Sequence, residues 1–157
     1  MVESTTERLE LRRELAIAAR PETVWKLLVD PEGLVRWMGS SARIDPRPGG
    51  EVRIELRPGT VASGEIVEFD PPRRLVYTFG WEPDGNGPNT VPPGSSTVAF
   101  ELVPAGSGTT LRLVHRDLPT AESVARHAHG WEHYLARLVT VGAGDEPGRD
   151  PWLDSVS

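Results

Sequence analysis

The sequence has no cysteine and a single lysine, Lys26. Without cysteine, disulfides, thiolate zinc sites and a thiol nucleophile are all excluded. No apolar run approaches the roughly 20 residues that a helix needs to span a bilayer. The opening MVESTTERLELRR lacks the basic start and apolar segment of a secretory signal, so a cytoplasmic location is the default expectation. Positive charge is also in short supply: 17 Lys and Arg stand against 23 Asp and Glu, for a net charge of −6. Nucleic-acid binding calls for clustered cations that neutralise phosphates, and here the arginines are scattered along strands. Neither nucleic acid nor an inserted membrane is expected as a partner.

What is present suits one domain. A chain of 157 residues is close to the usual size of a single domain. It buries roughly 70% of its unfolded surface, enough for a core without metals or cross-links. Hydrophobic residues make up 38% and charged residues 25%, as in ordinary globular proteins.

Periodicity divides the chain into elements. Residues 7–18 place Leu9, Leu11, Leu15 and Ile17 on one parity, the signature of a half-buried strand, with Arg13 on the same inner side. RPETVWKLLVD then changes to helical spacing, with Pro21 suited to a first turn. Pro31 stops that helix and starts a second, PEGLVRWMG, closed by Gly39. A series of strands follows. EVRIELRPGT sends Val52, Ile54 and Leu56 inward and Arg53, Glu55 and Arg57 outward. VASGEIVEFDPP has mixed alternation, which leaves its inner face open, along with the direction of Glu65 and Glu68. RRLVYTFGW sets Leu75, Tyr77, Phe79 and Trp81 on one parity. Residues 82–94 form a loop by composition. SSTVAFELV aligns Val98, Phe100 and Leu102, and GTTLRLVHRDL aligns Leu111, Leu113 and His115. Thr120 can cap a long final helix from about Ala121 to Val141. The domain ends near 142, and residues 143–157 are expected to fray or dock loosely, with Trp152 as an anchor. This order of elements is α+β, and the last helix alone is long enough to cover the sheet's apolar face.

That helix carries three histidines in ARHAHGWEHYLARLV. At about 100° per residue, Val124, His127, Ala128, Tyr134, Leu135 and Leu138 fall within about 60° of Trp131. His129 and His133 fall near 160° on either side, together on the solvent face. Their i, i+4 spacing could clip a divalent ion, but an exposed site of two ligands falls short of the usual three or four. No metal and no cofactor are expected. His127 instead points at the sheet beside the aromatics. Tyr77, Phe79, Trp81, Phe100, Trp131 and Tyr134 are all directed inward, and His115 shares their side. Such a set either fills a solid core or walls a pocket with a few polar groups, and the pattern alone leaves both open.

Together, RPETVWKLLVDPEGLVRWM, RPGGEV, GEIVEFDPPRRLVYTFGWE, GTTLRLVH and HGWEHYLARL resemble the SRPBCC, or START-like, superfamily. Within it they resemble the branch related to the activator of the heat-shock-90 chaperone ATPase. The resemblance covers roughly residues 8–141. It implies a helix-grip fold: a curved antiparallel sheet of about six or seven strands around the long C-terminal helix, two short helices after the first strand, and a hydrophobic cavity in between. It further implies that Trp37 stands near the cavity mouth and that Gly130 and Trp131 pack the helix against the sheet, whereas Trp25 holds the first helix in place.

The leading expectation is a binding module for a hydrophobic or aromatic small molecule, entering near the loop 82–94. The candidate ligand-binding residues are Trp37, Tyr77, Phe79, Trp81, Phe100, His115, His127, Trp131 and Tyr134. A second reading is a polyketide cyclase-like or aromatase-like enzyme, with His115 or His127 as general base and Arg13 or a tyrosine stabilising an enolate. Glu65 or Glu68 would supply a carboxylate if its strand face allowed. A third is a chaperone-ATPase activator-like interaction domain, for which the partner is a chaperone. A homodimer is also compatible with the sequence.

Overall fold

The structure is a computed structural model, and it describes residues 9–83 and 89–154. Residues 1–8, on which the reading of the leader rests, and residues 84–88 of the loop lie outside the described residues. The chain opens with strand β1 (Leu9–Ile17), followed by helices α1 (Pro21–Val29) and α2 (Pro31–Leu34). Six strands come next: β2 (Ser41–Ile44), β3 (Glu51–Arg57), β4 (Thr60–Asp70), β5 (Arg74–Trp81), β6 (Ser96–Ala105) and β7 (Gly108–Leu118). Helix α3 (Ala121–Gly142) and a short 3-10 turn, Pro151–Asp154, complete it. The strands form one antiparallel sheet in the order β1-β7-β6-β5-β4-β3-β2, which is the expected α+β helix-grip arrangement. The short edge strand β2 had no separate place in the sequence reading.

Local chemistry sets the element boundaries. Pro21 stands in the first turn of α1, where its missing N–H costs nothing, and the Asp30 side chain accepts from the Glu32 N–H to begin α2. The second helix stops at Leu34, short of the expected Gly39. The chain then continues through turns, with Met38 N–H still donating to the Leu34 carbonyl at 2.9 Å. Trp37 explains the tightening. It is 1% exposed, and its indole N–H donates to the Leu27 carbonyl at 2.8 Å, so the turns fold back under α1. Thr120 caps α3, accepting from the Ser123 N–H at 3.0 Å as expected.

The mixed alternation of β4 has a simple cause. Its pairing with β5 shifts register between Ile66 and Glu68, and such a bulge changes which parity faces inward. Ala62 and Ile66 are buried, whereas Glu65 and Glu68 are exposed and Glu68 accepts from Arg74. Neither glutamate reaches the interior. A second register shift, between Glu55 and Arg57 in the pairing of β3 with β4, affects the end of β3. Arg57 was expected to point outward, but it is half-buried and turned towards the space under α3.

Leu111, Leu113, Val98, Phe100 and Leu138 are each at most 1% exposed, so the half of the sheet made by β6 and β7 packs solidly against α3. Trp25 meets Phe69 edge to face at 5.4 Å and holds α1 in place, as expected. Arg13 lies on the inner parity of β1 but at the rim, where it donates to Glu132 of α3 at 2.6 Å. It is therefore a clasp between the edge strand and the helix.

Candidate functional site

The other half of the sheet does not close on the helix. Between α3 and strands β3, β4 and β5 lies a pocket of about 550 Å³. Its apolar lining includes Met38, Leu56, Val61, Phe79, Trp81, Val91, Trp131, Tyr134 and Trp152. Polar groups stand around it: Arg57, Thr60, Glu82, Asn89, Thr90, Thr120, Glu122, Ser123, Arg126 and His127. The size and the mixture of apolar wall with scattered polar groups match small-molecule pockets. Cavity and solid core, which the sequence pattern left as alternatives, are both present, on opposite halves of one sheet.

Five of the nine candidate residues line this pocket: Phe79, Trp81, His127, Trp131 and Tyr134. Trp37, Tyr77, Phe100 and His115 do not. Trp37 is sealed beneath α1 rather than standing at the mouth. Tyr77 and Phe100 pack on each other at 6.1 Å within the core. Burial pushes the Tyr77 phenol well above its ordinary pKa, so it stays neutral.

His115 sits directly behind the pocket wall with no exposure. Its Nδ1 accepts from the Trp131 indole N–H at 3.0 Å, which requires the proton to be on Nε2. Nε2 lies 2.9 Å from the Ser96 hydroxyl, which itself donates to the Phe79 carbonyl at 2.7 Å. The result is a directed chain from indole to imidazole to hydroxyl to backbone. Burial, with a smaller contribution from His127, lowers the His115 pKa to about 3, so the ring is neutral.

His127 repeats the arrangement with the opposite tautomer. Its Nε2 accepts from the Trp81 indole N–H at 3.1 Å, and its Nδ1–H donates to the Ser123 carbonyl at 2.7 Å. Burial is the main cause of its lowered pKa, opposed by the bond to Ser123. The two imidazoles meet edge to face at 5.0 Å. Every ring nitrogen is engaged, so neither histidine presents a free lone pair to the pocket. Their visible work is to fix the indoles of Trp81 and Trp131, whose faces and edges build the wall.

Sequence reasoning missed several lining residues. Gly130 had been expected to pack α3 against the sheet, but a Cβ built there meets nothing within 4 Å. It leaves room in the pocket instead. A glycine in the middle of a long helix costs about 1 kcal/mol relative to alanine, and that was the available signal. The wall formed by residues 89–91 depends on another glycine, Gly80. A Cβ on it would fall 1.9 Å from the Pro92 carbonyl oxygen, and the gap allows Trp81 N–H to reach the Val91 carbonyl at 2.7 Å.

The C-terminal segment also contributes. His133, placed on the solvent face by the helical wheel, is instead covered by the tail: Trp152 stacks on it at 3.7 Å and 5°. Its Nε2 lies 2.8 Å from the buried Asp150 carboxylate, which also accepts from the Trp152 N–H. His129 remains exposed, 5.4 Å from the Trp152 ring. The two histidines therefore share one tryptophan as a neighbour. Among the described residues no three His, Cys, Asp or Glu side chains gather as metal ligands. Residues 143–154 run from the helix end to a docked turn, with Trp152 as the expected anchor. Asp150→Ala should release that turn, costing about 2 kcal/mol for the lost charged hydrogen bonds. Urea unfolding, with limited proteolysis of the tail, checks this.

No helix among the described residues is long and apolar enough to cross a membrane. Comparison with known proteins bears on the whole domain. The family model for activator of Hsp90 ATPase homolog 1-like protein matches residues 18–143. No curated protein matches the chain. Among solved structures, an AHSA1-like protein from Rhizobium etli is 44% identical, with a TM-score of 0.73 over 93% of this chain and 89% of that one. CalU16 from Micromonospora echinospora is 28% identical, with a TM-score of 0.70 over 94% of this chain and 71% of its own. The Aha1 dimer from Colwellia psychrerythraea, 17% identical with a TM-score of 0.69 over 90% of this chain and 99% of that one, is alike in fold alone. With the matched model spanning most of the helix-grip domain, the chain belongs to the activator of Hsp90 ATPase homolog 1-like family.

Proposed function

We propose that the protein is a binding module for a hydrophobic or aromatic small molecule, held under α3 against β3, β4 and β5. The pocket of about 550 Å³ carries this reading. Burying a ligand's apolar surface against Phe79, Trp81, Trp131 and Tyr134 would contribute about 25 cal/mol per Å². Thr60, Thr90, Asn89 and Ser123 supply hydrogen-bonding groups around that apolar body. Two observations favour binding over the alternatives. His115 and His127 have no free nitrogen for proton abstraction. Among the described residues only Val67, 55% exposed, is a large hydrophobic side chain standing on the surface, so an apolar protein-docking patch lacks support there.

Gly130 gives the test. Gly130→Ala should stabilise α3 by about 1 kcal/mol, because the helix gains propensity and the new methyl meets nothing. Gly130→Phe should fold as well but occupy the pocket. In native mass spectrometry, and in Trp quenching with planar aromatics and fatty acids, wild type and Gly130→Ala should bind. Gly130→Phe should lose at least tenfold in affinity. Binding unaffected by the phenylalanine, or no binding by any of the three, would remove the proposal.

A further inference from the structure

Two arginines of the pocket stand apart from the other described arginines. Every other described arginine has a carboxylate oxygen within 3.9 Å, from Arg12 with Glu10 through Arg112 with Glu14 and Glu101 to Arg149 with Asp154. Arg57 and Arg126 have none among the described residues, and both line the pocket. In a chain of net charge −6, leaving two cations unpaired at one apolar cavity is a local inversion of sign.

The neighbouring carboxylates do not cancel them. Glu82 is engaged by Arg53, which donates from Nε at 3.0 Å and from a terminal nitrogen at 3.1 Å. Glu122, one helical turn before Arg126, makes no ion pair with it and is exposed. Among the described residues of the pocket, two guanidinium groups without an ion pair thus stand against one such carboxylate. The register shift at the end of β3 turns Arg57 inward from the strand's outer parity. It is half-buried, where solvent screens a charge less than on open surface. Tyr134 feels its field: Arg57 opposes the rise that burial and Asp150 impose on the phenol, whose pKa still reaches about 12. A neutral hydroxyl and a planar cation therefore border the same apolar space.

We infer that the pocket selects an amphipathic organic anion: an apolar or aromatic body carrying a carboxylate, sulfonate or similar oxyanion that Arg57 and Arg126 hold. This rests on the pocket being a ligand site and names the chemical class it takes. The guanidinium fork suits such an oxyanion geometrically, and a phenolic proton can add a third donor.

Two fluorescent probes with the same aromatic body separate the ideas. 8-Anilino-1-naphthalenesulfonate carries the anion, and N-phenyl-1-naphthylamine lacks it. Hydrophobicity alone favours the neutral probe. The anionic probe is expected to bind wild type about tenfold more tightly, the equivalent of one charge-assisted hydrogen bond. That preference should shrink as salt is raised. Arg57→Gln with Arg126→Gln should abolish the preference, lowering the affinity for 8-anilino-1-naphthalenesulfonate about tenfold more than the affinity for N-phenyl-1-naphthylamine. Arg43→Gln, removing a surface cation outside the pocket, should leave both affinities as they were. Tighter binding of the neutral probe by wild type, or an anion preference that survives the double substitution, overturns the inference and leaves the pocket reading intact. Failure of both probes to bind overturns the pocket reading with it.

Discussion

Acidification from about pH 6.5 to about pH 5 is expected to remove about 2 kcal/mol of stability through His115 alone, at about 1.4 kcal/mol per pH unit. Its folded-state pKa is lowered to about 3 against an ordinary 6.5. A histidine shifted in this direction contributes stability that is complete above 6.5. The contribution is lost as pH falls towards 3, because the unfolded chain takes up the proton first. His127 is shifted in the same direction and steepens the loss. The window lies above the range in which ordinary carboxylates titrate, so the two effects separate. Urea midpoints at pH 7, 6 and 5 measure it. Substituting His115→Gln, which keeps a polar group but cannot titrate, should flatten the dependence even if it lowers stability throughout. A midpoint that is constant down to pH 5 in wild type would mean that the imidazole is more accessible to water than its packing shows.

The same residue illustrates how far the sequence could be read. The parity of GTTLRLVH placed His115 inward, because period-two alternation needs only the identities of neighbouring side chains. Its partners could not be read that way. The Trp131 indole that donates to it is 16 positions distant, on another element, and the Ser96 hydroxyl is 19 positions distant. Parity gave the wrong direction for Arg57 and no direction for Glu65 or Glu68, because register shifts on β3 and β4 break the alternation on which parity depends. The helical wheel placed His127, Trp131 and Tyr134 towards the sheet but left His133 in solvent. A wheel describes one helix and cannot include the chain that returns over it, as residues 150–152 do here. Aromatic content suggested a pocket wall, but which half of the sheet stays open depends on where α3 crosses it. For that reason Trp37, Tyr77 and Phe100 are core, whereas Gly130, chemically the least conspicuous residue of its helix, borders the pocket.

Trp131 should be the most expensive single side chain to remove from the pocket wall. It is 3% exposed, meets Phe100 edge to face at 5.9 Å and approaches Phe79 at 6.5 Å. Trp131→Ala is expected to cost about 3–5 kcal/mol, the range for emptying an aromatic site in a packed core. Trp131→Phe retains much of the volume but has no N–H, so it isolates the hydrogen bond. It leaves the buried Nδ1 of His115 without a donor, at a cost of about 1–3 kcal/mol. The donor also favours the neutral ring, so its loss should raise the His115 pKa towards the ordinary value, visible by NMR titration of the imidazole. A double-mutant cycle completes the argument. With His115→Leu as the second change, no unpaired nitrogen remains, and the double variant should be destabilised by about 1–3 kcal/mol less than the sum of the singles. Additive costs and an unmoved His115 titration would mean that the indole only fills space. Coupled costs would show that a buried polar chain fixes the angle of the wall, so that the pocket's shape is present before any ligand arrives.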